Sequence, residues 1–506
     1  MVEYVIHKTG MIKMNPERKE SAKAENVHVM ALDLVPDGGG DSGEDYGKHD
    51  RVTKTLPPGV SSKMLYKDVI HIAWPSFIEF ILTQLASMAD MMMVGNLGSW
   101  AISSVGLTTQ PKFLLMSLFM SMNVGATALV ARAKGQGNQK RAHLILRQAL
   151  ILTLVLSSIA SVLGYVFAEQ LVSFMGAAEQ RTLIAGTQYL RIQMIGFVGL
   201  ALTSTVTATL RGVGSTRVAM VYNLISNVVN VLLNFLLIEG RFGFPRMEIA
   251  GASLATIIGQ FTAMVLAFTT VIRGNHYLKL DIREKFRPHW ETMKGIFRIG
   301  LPAMGEQMVM RAGMIIFAKT VASLGTVSFA IHNICMNIQA LSFMNGNAFA
   351  VSATSLVGQS LGKKRPDMAQ AYSSRTRRLG MSVSILLALT FFFFGELIVG
   401  LYSKEAIVIS TGKNILMFVA LVQPLQSSQF ILSGALRGAG DTRATAVISF
   451  LTVLLIRPGL ALLLVKVFDL GLYGAWIALV CDQAVRSLLI LIRFNSGKWK
   501  IAIKTN

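Results

Sequence analysis

From residue 67 onward the chain is a succession of apolar runs longer than about 18 residues, the length at which a helix can cross a bilayer. Within hydrocarbon, backbone N–H and C=O groups have no water to bond, so each run must satisfy its own as a helix. Of the 506 residues only 15% are charged, against about 25% in a soluble domain. The pattern predicts an all-α polytopic membrane protein with twelve helices, at 67–95, 99–132, 140–166, 182–210, 216–238, 249–272, 295–323, 326–361, 369–400, 410–436, 444–465 and 471–493. Cys335 and Cys481 both fall inside apolar runs and read as small core residues rather than a disulfide or metal pair.

Placement of the basic residues orients these helices. One side carries 26 lysines and arginines, concentrated at 132–147, 273–298, 363–378 and after Arg493; the other carries six. The positive-inside rule puts the basic side and both termini in the cytoplasm. This asymmetry accounts for the net charge of +21, so no nucleic-acid partner is needed. Residues 1–63 are polar and read as a disordered cytoplasmic tail, without the apolar core of a signal peptide or the spacing of a calcium loop. Met64 is an alternative start. The expected domains are a six-helix lobe at 64–272, a basic linker at 273–294, a second six-helix lobe at 295–494 and a short cytoplasmic tail at 495–506.

The two lobes are copies. At an offset of 227, Pro75-x3-Glu79 matches Pro302-x3-Glu306, Ala126-Thr127-x-Leu129-Val130 matches Ala353-Thr354-x-Leu356-Val357, and Gly135 matches Gly362. At 226, LRGVGSTR ending in Arg217 matches LRGAGDTR ending in Arg443. These paired elements read as tight turns whose arginines anchor at lipid headgroups. Transporters built from repeats hold their solute between the halves and work by rocking or gating.

The first helix carries a proline and two carboxylates, Glu79 and Asp90. A proline removes a backbone hydrogen bond and bends a helix, and an acid at membrane depth is costly and marks pathways. Pro75 therefore reads as the bend of a moving part. Asp90 comes fifteen residues later, about 22 Å along a helix. The fifth helix places Asn223, Asn227, Asn230 and Asn234 on one face, and the last two match Asp90 in depth. A carboxylate facing amides can bind a proton or coordinate Na⁺. The alternatives are an interfacial acid touching water for Asp90, and interhelical packing bonds for the asparagines. Glu79 and Glu306 occupy equivalent positions, which points to one architectural role in both lobes. Asp90 aligns with Phe317 and has no twin. Gln110 and Lys112 lie in the second helix as further candidates for coupling or substrate contact. Arg311, Lys319 and Arg457 are expected to snorkel or to pair across helices.

The proline-bent first helix, the GATALVA-x3-G element, the paired LRG-x-G-x-TR turns and the duplication together resemble the multidrug and toxic compound extrusion (MATE) transporters over about 65–494. The resemblance implies two lobes that export organic cations or other amphipathic compounds in exchange for H⁺ or Na⁺. It further implies a monomer in the plasma membrane whose partners are small amphipathic solutes and lipids, with no cofactor beyond the coupling ion. In the branch that couples through the N-terminal lobe, an acid follows the first-helix proline by fifteen residues and an Asn-x3-Asp pair lies on the fifth helix. Asp90 and Asn230 match; Asn234 departs, an amide standing for the acid. Glu306 does not match the other branch, whose seventh-helix acid lies eight residues after its proline. No metal set is defined.

Other classes fit less well. GQSLGKK, ending in Lys364, lacks the spacing and hydroxyl of a nucleotide-binding loop. His332 is the only histidine deep in a span, without a nucleophile or metal constellation, so an enzyme is not expected. The runner-up is a lipid-linked oligosaccharide flippase of the same superfamily, favoured by mid-membrane cations and opposed by the span count. The orientation is directly testable. With both native cysteines replaced by serine, a cysteine at Lys404 should react with a membrane-impermeant maleimide in intact cells, and one at Lys363 should react only after lysis.

Overall fold

A computed structural model describes residues 56–501 except 177, 178, 275, 282 and 285. Twelve long helices follow in order: α1 (Ser62–Gly95), α2 (Ser99–Gly135), α3 (Gln139–Val166), α4 (Gln180–Gly212), α5 (Thr216–Leu237), α6 (Glu248–Arg273), α7 (Trp290–Ala322), α8 (Thr326–Gly362), α9 (Pro366–Gly400), α10 (Ala406–Gly438), α11 (Thr442–Val467) and α12 (Gly471–Asn495). A seven-residue helix, Ala168–Phe174, caps α3. Eleven of the twelve are long and apolar enough to cross a membrane. The exception, α7, is 33 residues long, with Glu306, Gln307 and Arg311 lowering its hydropathy. α11 is not the regular helix expected: Phe450–Ile456 and Leu463–Val467 are π-helical, flanking Arg457 and Pro458.

The packing repeats as the sequence does. α1 packs on α5, α2 on α3 and α4, and α6 on α4 and α5; α7 packs on α11, α8 on α9 and α10, and α12 on α10 and α11. The lobes meet along α2 and α8, flanked by α1 against α8 and α2 against α7. Paired glycines make that approach possible. A Cβ on Gly135 would lie 2.0 Å from the Gln359 carbonyl oxygen, and one on Gly362 2.2 Å from that of Arg132.

The paired LRG-x-G-x-T turns resolve into separate physical jobs. The Leu210 and Leu436 carbonyls accept from the N–H groups of Ser215 and Asp441 at 2.8 Å, closing each helix. The second glycines, Gly214 and Gly440, take φ of 80° and 84°, the left-handed cap that favours glycine. The first glycines, Gly212 and Gly438, let their helix touch backbone: an added Cβ would meet the Thr127 and Thr354 carbonyl oxygens at 2.8 and 2.3 Å. Arg211 and Arg437 are not headgroup anchors as expected, and their carboxylate partners are described below; Arg217 and Arg443 are exposed at the helix starts.

The last residues of the segment expected to be a disordered tail, 56–63, are ordered, with α1 starting at Ser62. Leu56 and Val60 pack against Leu65, Val69, Leu356 and Tyr372, while residues before 56 lie outside the described residues. The basic linker is strapped to α3: Gln148 donates to the Arg287 carbonyl at 2.8 Å and accepts from the His289 N–H at 2.8 Å. Both cysteines are free thiols, Cys335 buried in the C-terminal lobe.

Gly362→Ala should destabilise the protein by about 1–3 kcal/mol through overpacking at the lobe crossing, read as a lower thermal unfolding temperature in detergent. Gly305→Ala, where an added Cβ meets nothing within 4 Å, should be neutral or slightly stabilising.

Candidate functional site

α1 and α5 run side by side in fixed register. Asn223 donates to Glu79, Asn227 to Thr83 and Asn234 to Asp90, at 2.5, 3.1 and 2.5 Å. Each pair is separated by 144 residues, so the asparagine face is a ladder against α1. Packing and chemistry use the same face.

At the top of the ladder Asp90, half-buried, is gripped by two amides. With its nitrogen turned toward the carboxylate, Asn230 reaches both Asp90 oxygens at 3.0 Å while its own oxygen accepts from the Thr256 N–H of α6 at 3.2 Å. α6 can come this close because residue 259 is glycine: a Cβ there would touch Asn230 Cβ and the Ser226 carbonyl oxygen at 3.0 Å. Asn234 is buried, yet its Oδ1 has no hydrogen-bond partner. A carboxylate beside a spare amide oxygen is a seat for a proton or for an oxygen-liganded cation. Among the described residues no group of three His, Cys, Asp or Glu side chains could hold a metal.

The other expected residues divide. Lys112 Nζ donates to Gln193 Oε1 at 2.8 Å and lies near enough to act electrostatically on Asp90. Gln110 is exposed and, two residues from Lys112 on a helix, lies on a different face from it. Asn227 serves the ladder through Thr83 rather than Asp90. Pro75 is buried within α1. It divides that helix where its neighbours change: Val69 accepts from Ser352 of α8 at 3.2 Å below it, and Glu79 meets α5 above it.

Glu79 and Glu306 are both buried and both ion-paired, to Arg211 at 2.8 Å and to Arg437 at 2.7 Å. These are the arginines of the two LRG turns. Thr445 donates to the second oxygen of Glu306 at 2.9 Å; the aligned position in the first lobe is Ala219, and Glu79 Oε2 is left without a partner. Sequence reasoning missed these pairs, although a duplicated acid and a duplicated base gave the signal. It also missed Asp482 and Arg486 in the last apolar run. Arg457 binds Asp482 Oδ2 through Nε at 3.0 Å and Nη2 at 2.5 Å, and Arg486 Nη2 reaches the same oxygen at 2.6 Å. Arg311 instead lies over the Phe113 ring of α2, 4.4 Å from its centroid.

Two repeat-related helical lobes with a charged seat in each interior define a polytopic membrane transporter. A profile of the MatE family matches residues 75–236 and 302–463, each match beginning on a helix proline. The chain belongs to this family, the multidrug and toxic compound extrusion transporters. It is 30% identical over 435 residues to the "Probable multidrug resistance protein NorM" of Thermotoga maritima, covering 86% of this chain and 93% of that one. Among solved structures it resembles a multidrug resistance MATE family transporter in an outward-facing conformation, with TM-score 0.79, 21% identity and coverage of 88% of this chain and 100% of that one. It also resembles a MOP superfamily transporter from Pyrococcus furiosus, described by a reverse polarity of its binding pocket, with TM-score 0.80, 22% identity and coverage of 89% and 100%.

Arg211→Ala should cost about 3–5 kcal/mol by leaving Glu79 buried and unpaired. The paired change Glu79→Gln with Arg211→Gln should recover most of that loss, as read by thermal unfolding of the purified proteins.

Proposed function

We propose that the protein is a secondary active antiporter of the cell membrane, exporting amphipathic compounds, chiefly organic cations, in exchange for H⁺ or Na⁺. The observation that carries this reading is the Asp90 seat. It is a carboxylate held by Asn230 and Asn234, in one lobe only, with an unused amide oxygen beside it. The name of the Thermotoga relative supports drugs as the class of solute.

The cross-lobe hydrogen bonds support a cycle of alternating access. Ser352, Ser355 and Gln359 of α8 donate to the carbonyls of Val69, Gly212 and Gly212, and Tyr372 of α9 donates to Asp68. All lie toward the basic end, taken here as the cytoplasmic side, so the cleft is read as open outward. Asp90, ionised and facing outward, takes up a proton or Na⁺. α1 then bends further at Pro75, the N-lobe cavity closes and the solute leaves outward. The work comes from the different affinity of the two conformations for the ion. The seat holds a single carboxylate, because Asn234 stands where the family pattern has a second acid.

Everted vesicles loaded with a cationic dye and given a pH or Na⁺ gradient test the reading. Wild type should move dye with one of the two gradients, and Asp90→Asn should abolish that dependence. Unchanged gradient-driven movement in Asp90→Asn would remove Asp90 from coupling. Failure of both gradients in the wild type would overturn the antiporter reading itself.

A further inference from the structure

The interior of the C-terminal lobe carries more positive than negative charge. Arg457, Asp482 and Arg486 are each no more than 5% exposed, and two guanidiniums share one carboxylate. The nearest other acid, Glu306, is engaged by Arg437. A buried excess charge is costly unless something neutralises it.

The cluster also presents unused hydrogen-bonding groups. Both arginines crowd onto Asp482 Oδ2, while Asp482 Oδ1 and Arg486 Nε have no partner. Arg486 Nη1 faces only the Met310 thioether, a weak acceptor, at 3.1 Å. Ser487, next to Arg486, donates to the Leu425 carbonyl of α10 at 2.8 Å. The residue after Leu425 is Gln426, buried in α10 with its amide nitrogen and oxygen both without partners. Arg457 lies over the Phe317 ring, 5.8 Å from its centroid. Its helix is π-helical on both sides of it, a local widening that recurs at functional sites.

We infer that this cluster is a second solute site, in which Arg486 and Arg457 bind the carboxylate of an anionic or zwitterionic amphipathic compound. Asp482 is the positioning residue that holds the two guanidiniums together when the site is empty. A guanidinium recognises a carboxylate through paired N–H donors, and the Met310, Phe317 and α10 surroundings supply apolar and amide contact to the rest of the molecule. The N-terminal lobe, with Asp90 and Lys112 one of each sign and Glu79 paired to Arg211, has no such excess. The inference depends on the export reading only for what happens to the solute after it binds.

Equilibrium binding to the purified full-length protein in detergent, read by fluorescence polarisation without any ion gradient, tests it. The probes are rhodamine B and its ethyl ester, which differ only in whether the carboxylate is free. Wild type should bind the free acid at least about tenfold more tightly than the ester, the expected scale for charge-assisted hydrogen bonds. Arg486→Gln should remove that preference while leaving ester binding within about twofold, and Arg486→Lys should retain part of it. Decanoate should displace the acid but not the ester. Equal binding of the two dyes by wild type overturns the inference, and this comparison needs no variant to fold. Parallel weakening of both dyes by Arg486→Gln also overturns it, by showing a purely structural role. Because no gradient is applied, failure here leaves the antiport reading to its own vesicle test.

Discussion

A carboxylate four residues beyond each helix proline cannot stay charged at membrane depth without a cation, and the rest of the architecture follows from how that cation is supplied. Arg211 and Arg437 each come from the end of a helix in the same lobe as their glutamate, so each pair fastens the upper half of α1 or α7 to its own bundle. The lower halves are free to pack across the interface, α1 on α8 and α7 on α2. In α7 the same division is visible in its glycines. A Cβ on Gly300 would strike Met122 of α2, and one on Gly313 would strike Val453 of α11, with Pro302 and Glu306 between them. Each proline thus stands where a helix passes from one lobe to the other, which is where a bend changes the angle between them.

With that shared frame fixed by paired residues, the lobes could diverge in their interiors. The first lobe keeps an acid on α1 and amides on α5; the second has Phe317 and Ile456 at the positions aligned with Asp90 and Asn230. Its charge moved to α11 and α12, one residue along from the aligned asparagine position and onto a helix made irregular by two π segments. A π segment adds a residue per turn and shifts the face that follows it. A site built at Arg457 therefore cannot superimpose on one built at Asn230, and only the second interior carries an excess of positive charge.

Much of this was legible in the sequence because membrane folding is governed by few rules. Apolar length located the helices, and the exact repeat of Pro-x3-Glu and LRG-x-G located the two lobes. The step of four, three and four between asparagines placed Asn230 and Asn234 beside Asp90. What escaped was partnership across helices. Arg211 lies 132 residues after Glu79, and no local spacing predicts that a residue at a helix end turns inward rather than toward headgroups. Asp482 and Arg486 were hidden differently: their i, i+4 pairing keeps them in one apolar run, so hydropathy averages them away.

The strength of the cross-lobe ties bears on whether such a molecule can cycle. Ser352, Ser355 and Gln359 each donate to a backbone carbonyl, bonds that contribute about 0.5–1.5 kcal/mol apiece. The Tyr372 bond to Asp68 involves a charged acceptor and contributes about 1.5–3 kcal/mol. Arg375 of α9 adds two hydrogen bonds to the Ser62 hydroxyl of α1, at 3.2 and 2.9 Å, and the glycine crossing adds close packing. The intra-lobe Glu–Arg pairs are stronger, because breaking either leaves a buried charge. In the proposed cycle, a change of charge at Asp90 is passed along the α1–α5 ladder to Pro75, where the helix goes from one lobe to the other.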